Sequence, residues 1–185
     1  FGGQVVAQAL KAAASTVDAS RPAHSLHSYF IRPGSHDEPV RYEVERLRDG
    51  RSFSTRQVVA RQAAGAILNL SVSFQVVEAE ADVQISEFPD DIASPDDPDL
   101  VDSSWGALIE RRAVEIDDGR VGYWIRLTAE LDDDPVDRSC GLAFMSDAAP
   151  SRAARSPNPV FTGEVSDRRR FAGACIVLLL LFHRP

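Results

Sequence analysis

Cysteine, histidine, net positive charge and long apolar runs are all scarce or missing in this chain, and each shortage removes a class of protein. The only cysteines are Cys140 and Cys175 among 185 residues. Two are too few for a disulfide framework, which points to a reducing, cytoplasmic compartment. The histidines are His24, His27, His36 and His183. His24 and His27 stand three apart, and on a strand such a pair points to opposite faces, whereas a metal needs converging ligands. We therefore expect no metal site. The chain has no G-x-S-x-G elbow and no Ser-His-Asp order, which removes the familiar serine hydrolase layout. Net charge is -8. No broad basic stripe offsets it, so a nucleic-acid partner is not expected. The acid is concentrated in "DDIASPDDPDLVD" and "ELDDDPVD", which read as loop solvation. The run "CIVLLLLF", Cys175 to Phe182, is far shorter than the ~20 apolar residues of a spanning helix. It suits a strand covered on both faces, or a buried helix segment. As a strand it would leave a sticky edge, which proteins usually protect. The first residues, "FGGQVVAQAL", show no secretion signal and no starting Met, and read as a start in the middle of a fold.

What is present is ordinary globular composition, 44% hydrophobic and 26% charged, enough for one sizeable core or two small ones. "QVVAQALKAAASTV" places Val5, Val6, Ala9, Leu10 and Ala13 on one helical face. Strands follow. "AHSLHSYFIRPGS" alternates and ends in Pro-Gly, and "RYEVERLR" meets "SFSTRQVVARQ" across Asp49-Gly50, a hairpin pair. A further strand, "AILNLSVSFQVV", follows a turn near Ala64-Gly65. Residues 1–80 thus read as a helix followed by four antiparallel strands, an α+β arrangement. Residues 81–104 are acidic and Pro-rich and read as a linker. Residues 105–185 echo the first half weakly. "GYWIRLTAEL" is a strand, and Val136, Cys140, Ala143 and Phe144 give a helical face. "FAGACIVLLLLF" is the next strand.

Three features could carry chemistry. The glycines of "FGGQ" open a helix, where exposed N–H groups can hold an anion or an acyl oxygen; a tight turn into a packed helix is the plainer reading. Arg46, Arg48, Arg51, Arg56 and Arg61 crowd one hairpin, where they can hold phosphates or form a solvated face. Asp147 follows Ser146 toward a helix end, where a carboxylate can cap, coordinate or catalyse; an ordinary surface or capping acid is the reading we favour.

"FGGQVVAQAL", "HSLHSYFIRPGS", "YEVERLRDGRSFSTRQVVARQ" and "SVSFQ" resemble the TesB-type acyl-CoA thioesterase II family. The resemblance runs nearly unbroken through the first 78 residues and returns in "LAFMSDAAP" and "FHRP". It implies a hotdog fold in tandem, a double hotdog whose second copy is truncated here. It implies hydrolysis of fatty acyl-CoA to fatty acid and CoA by an activated water, with no covalent nucleophile, metal or cofactor. It implies an acyl-CoA partner, no membrane span, and homo-oligomers formed through hotdog sheets. Substrate-binding positions carried over on these motifs are Gly2, Gly3, His27, Arg32, Gly50, Arg51, Ser52, Phe53 and Ser54. In the family, an Asp, a Thr and a Gln of the second hotdog hold the water, and the Asp lies in D-H-x-x-W-F-H-R-P. Aligned on Phe182-His183-Arg184-Pro185, the Asp position is Val177, the His position Leu178 and the Trp position Leu181. The Thr and Gln would fall beyond Pro185. The resemblance thus retains none of the catalytic set. A fragment of a longer enzyme and a degenerate relative, serving as a non-catalytic acyl-CoA binding or assembly subunit, both fit.

Overall fold

A computed structural model describes residues 1–79, 91–102, 106–116, 120–148 and 176–182. Cys175 and His183 lie outside the described residues. Contacts divide the chain into two units. One comprises Phe1–Glu78, Leu131–Asp147 and Cys175–Pro185; the other comprises Ala79–Glu130 and Ala148–Ala174.

The first unit begins with helix α1, Gly2–Ala14. Val6, Ala9, Leu10 and Ala13 are buried along one face, as the 3.6-residue period expects. Four strands follow: β1, Ala23–Phe30; β2, Arg41–Asp49; β3, Phe53–Gln62; and β4, Gly65–Gln75. Strict alternation buries Ser54, Arg56, Val58 and Ala60 of β3, and Leu68, Leu70, Val72 and Phe74 of β4. That period of two places these residues on the core side with α1. Gly65 opens β4 with a φ of 114°, a conformation only glycine adopts without strain.

The second half of the chain returns to this unit twice. Helix α2, Pro135–Ser146, packs on α1, and strand β8, Val177–Leu181, pairs antiparallel with β1. Here β5, β6 and β7 denote Val101–Asp102, Ile109–Ile116 and Arg120–Leu127 of the other unit. Among the described residues the first unit's sheet has five strands in the order β2-β3-β4-β1-β8. The apolar tail is thus an edge strand. Leu178 is buried in the core, while Leu179 and Leu181 are exposed.

Pairing of β1 with β8 has an internal symmetry. Matching Phe30, Arg32 and Pro33 with Phe182, Arg184 and Pro185 makes His27 and Leu179 equivalent positions. These two residues face each other in the ladder. The bonds at the two ends of the ladder are also equivalent: Phe30 N–H donates to Ile176 O and Phe182 N–H donates to His24 O, both at 2.9 Å. A local two-fold axis therefore passes between β1 and β8.

Helix α2 starts at Pro135 because Pro suits the first helical turn and Asp134 caps it, its carboxylate accepting from Val136 N–H at 2.9 Å. Its fully buried residues are Ser139, Gly141 and Ala143, whereas Val136, Cys140 and Phe144 of the expected face are half-buried. Small residues lie deepest because α2 meets another helix at close range. The helices run antiparallel: Lys11 pairs with Asp137 and Asp134 at one end, and Gly3 meets Asp147 at the other. Asp134→Ala is expected to cost about 1 kcal/mol, and Asp134→Asn a small part of that, measured by chemical denaturation.

In the second unit, β6 pairs with both β5 and β7. Strand β7 contains the expected "GYWIRL". Strand β6 is not foreseen, because "IERRAVEI" follows no clean alternation. It is held by pairing with β7 instead of by a one-faced pattern. Trp124 Nε1–H donates to Ala93 O at 2.9 Å, and the Arg111 guanidinium lies 5.2 Å from the Tyr123 ring centre.

Candidate functional site

Candidate residues gather at two ends of the five-stranded sheet. At one end the N-terminus of α1, the last residues of β1 and the first of β8 meet. Phe30 links them. Its backbone bonds Ile176, and a Cβ placed on Gly2 would stand 2.8 Å from its ring. The same Cβ would stand 2.7 Å from Asp147 Oδ2. A Cβ on Gly3 would run into the carbonyl oxygen of Phe144. Gly2 and Gly3 are therefore glycines because α2 and β1 approach the helix backbone this closely. Gly3 N–H donates to Asp147 Oδ2 at 3.0 Å, so this amide already has an acceptor. Burial raises the Asp147 carboxyl above its ordinary value, partly offset by the amides of Gly3 and Gly2 and the ammonium of Phe1.

Arg32 follows β1 at this end. It reaches across the β3–β4 turn and donates from Nη1 to Ala64 O. His27 sits midway along β1 on the face away from the core, its ring set edge-on to Tyr29 with centroids 4.6 Å apart. Its cross-strand neighbours are Ser71 and Leu179. Tyr29 faces Asn69 on one side and Val177 on the other. Next to them runs a polar ladder that sequence reasoning missed. Ser71 Oγ donates to Gln57 Oε1 at 2.6 Å, and Gln57 Nε2 donates to Asn69 Oδ1 at 2.5 Å. Its signal was the polar residue at every second position of "NLSVS", which plain strand chemistry also produces. Val177 is 45% exposed beside Tyr29, and an isopropyl group there can neither orient nor deprotonate a water.

At the opposite end lie Gly50, Arg51, Ser52, Phe53 and Ser54, in the β2–β3 turn and the start of β3. Arg21 clasps this turn. Its Nη1 donates to Gly50 O and Ser54 Oγ, both at 2.9 Å, and its Nη2 to Arg51 O at 3.2 Å. Phe53 stands edge-on to His24, with centroids 6.0 Å apart. The ten residues of β3 separate this end from Arg32 and the β3–β4 turn, a span of about 30 Å. The motif-matched positions are therefore two groups with His27 between them.

The hairpin arginines also divide. Arg56 is 1% exposed, and all five of its N–H donors are used within the fold. Arg61 pairs with Glu43. Arg56 therefore presents no free fork to a phosphate, and Arg61 spends its Nε–H on Glu43. Burial pushes the Cys140 thiol up to about 11, so it stays protonated and unreactive at neutral pH. Among the described residues no group of three or more His, Cys, Asp or Glu could hold a metal ion.

Comparison with known proteins identifies the fold built by these elements. The family profile for the acyl-CoA thioesterase N-terminal domain matches residues 1–75. Acyl-CoA thioesterase 2 of Haemophilus influenzae is 50% identical over 78 residues, covering 42% of this chain and 27% of that protein. The match thus spans about a quarter of that relative's length. The crystal structure of acyl-CoA thioesterase II TesB2 from Mycobacterium marinum aligns with a TM-score of 0.81 and 32% identity, covering 100% of this chain and 71% of that one. A tesB protein of Mycobacterium avium subs paratuberculosis aligns with a TM-score of 0.70 and 36% identity, covering 85% and 61%. The α+β hotdog expected from "FGGQVVAQAL" and the strands after it is the observed fold, and this chain belongs to the TesB-type acyl-CoA thioesterase II family, residues 1–75 being its N-terminal hotdog domain.

Proposed function

We propose that this chain binds fatty acyl-CoA on a thioesterase II scaffold, and that with this sequence it does not turn the ester over. The family reaction, hydrolysis to fatty acid and CoA by an activated water, is the inherited chemistry. The observation that carries the reading is Val177, which stands exposed beside Tyr29 where the family motif has its Asp. A thioester has a good leaving group, so a positioned carboxylate and polar donors suffice for its hydrolysis. Without the carboxylate, binding remains and water activation is lost.

On this reading Gly2, Gly3, His27, Arg32 and Gly50–Ser54 contact substrate. Positions about 30 Å apart suit a long ligand, and acyl-CoA is one, with an acyl chain, a pantetheine arm and a nucleotide. Exposed Arg32 and Arg51 offer charge to its phosphates. A tandem arrangement belongs to the same proposal: a first hotdog over residues 1–80, a linker over 81–104 and a partial second hotdog over 105–185. The two-fold axis between β1 and β8 supports it. A homo-oligomer joined through sheets also belongs to the proposal, supported by exposed Val177, Leu179 and Leu181 on the edge strand. A reducing, cytoplasmic location fits the cysteine count.

Isothermal titration with a non-hydrolysable long-chain acyl-CoA thioether tests the binding reading. Saturable binding and a raised melting temperature are expected. Heat no greater than that given by CoA-free fatty acid or buffer would remove the reading.

A further inference from the structure

Helix α1 has no anion of its own at its positive end. Phe1 stands at its N-cap, where a phenyl ring offers no capping acceptor, and its first turn holds no acidic residue. Its first turn instead carries the two glycines assigned above to substrate contact. The carboxylate that meets this turn comes from α2. Asp147 lies immediately after α2, half-buried, with Oδ2 on Gly3 N–H at 3.0 Å. The direction of α2 explains how this is built. Antiparallel packing brings the C-terminal end of α2 to the N-terminal end of α1, and the absent side chains of Gly2 and Gly3 let Asp147 and Phe144 close in. Carboxylate and helix N-terminus attract each other, because the first N–H groups of a helix lack intrahelical acceptors.

We propose that Asp147 is a positioning residue, capping α1 from the neighbouring helix and fixing the glycine turn that receives substrate. It acts through the Gly3 amide and touches no substrate atom. The inference rests on the proposed function for the substrate contact, and on the observed geometry alone for the cap. Gly3 N–H is therefore not open to an acyl oxygen while Asp147 is in place. A carboxamide can do the same work, since its oxygen also accepts from Gly3, whereas a methyl group cannot. Asp147→Asn should rescue what Asp147→Ala loses.

The test is a pH titration of the uniformly 15N-labelled protein, read at the Gly3 amide, with both variants. In the wild type the Gly3 amide signal is expected to move through a carboxylate titration whose midpoint lies above the ordinary 3.8. The groups acting on that carboxylate are the amides of Gly3 and Gly2 and the ammonium of Phe1. The titration is expected to vanish in Asp147→Asn. Amide exchange at residues 2–4 is expected to rise about fivefold in Asp147→Ala and to stay near wild type in Asp147→Asn. The thioether's dissociation constant should follow the same split. A wild-type Gly3 signal that is flat across the carboxylate range would overturn the cap, as would equal exchange in the two variants. Absence of thioether binding to the wild type, with the Gly3 titration intact, would instead remove the proposed function and leave the cap standing.

Discussion

Arg56→Ala is expected to destabilise the fold by about 3 kcal/mol or more, a larger loss than truncating any other side chain of the hairpin. The side chain is buried, and its five donors tie three segments together. Nε donates to Thr16 Oγ1 at 2.8 Å and Nη2 to Thr16 O at 3.0 Å, just beyond α1. Nη1 donates to Arg48 O at 3.0 Å and Thr55 O at 2.9 Å. Nη2 also meets Asp49 Oδ1 at 2.6 Å. Truncation leaves these acceptors without their donor and opens a cavity under the sheet. Arg56→Lys keeps the charge but loses the planar fork, so it should recover only part of the loss. Arg61→Ala, which breaks a more exposed pair with Glu43, should change stability by well under about 1 kcal/mol. Urea midpoints of the three variants decide the matter. A midpoint for Arg56→Ala within error of Arg61→Ala would sink this account of the hairpin. The pair also has a pH signature. Hydrogen bonds from Arg56, and then from Ser54, hold the Asp49 carboxyl below its ordinary value of 3.8. A lowered native value means that the contribution is complete above the unfolded value and is lost as pH falls through the lowered one. Arg56→Ala should flatten that acid dependence.

The second large effect is Gly3→Ala. Two terms of opposite sign compete. Alanine inside a helix is favoured over glycine by about 1 kcal/mol. Against this, the new Cβ meets the Phe144 carbonyl oxygen and stands 2.9 Å from the Phe1 ring. Backbone cannot swing aside as a side-chain tip can, so α1 and α2 must part. Overpacking of this kind costs about 1–3 kcal/mol and occasionally more. With the overpacking cost at the upper end of that range, about 3 kcal/mol, a net loss of about 2 kcal/mol in urea denaturation is expected, together with weaker bonding of residue 3 to Asp147. Gly2→Ala meets only side-chain tips, those of Asp147 and Phe30, and should lose less. A gain in stability for Gly3→Ala would mean that the helices are not in the close contact described.

The first half of the fold was legible because its patterns are local. Val6, Ala9, Leu10 and Ala13 repeat at helical spacing, β3 alternates from Phe53 to Ala60 and β4 from Leu68 onward, and Asp49-Gly50 marks the hairpin. Strand β6 was not legible, since "IERRAVEI" puts adjacent arginines at mid-strand and is held by its partners. The face of α2 was read as Val136, Cys140, Ala143 and Phe144; Ala143 does lie deep, but Ser139 and Gly141 are buried beside it and the three larger residues only half-buried, because proximity to α1 selects for small size. The tail was legible as a strand, although its place beside β1 depends on pairing between distant segments. The candidate site was legible only as motif positions. "DGRSFS" does not reveal that Arg21 holds the turn, nor that Arg56 is a buried pin when Arg51 is exposed. Such facts depend on which distant backbone oxygens converge, and no local period encodes them.

The central claim is that this scaffold binds acyl-CoA but lacks the group that activates water. Release of free CoA thiol from a long-chain acyl-CoA, followed with the purified chain in excess over substrate, tests it most directly. The account predicts saturable binding of the acyl-CoA and thiol release no faster than in buffer. Thiol release well above the buffer rate, removed by substituting a polar residue of this chain such as His27 or Asp147, would contradict it.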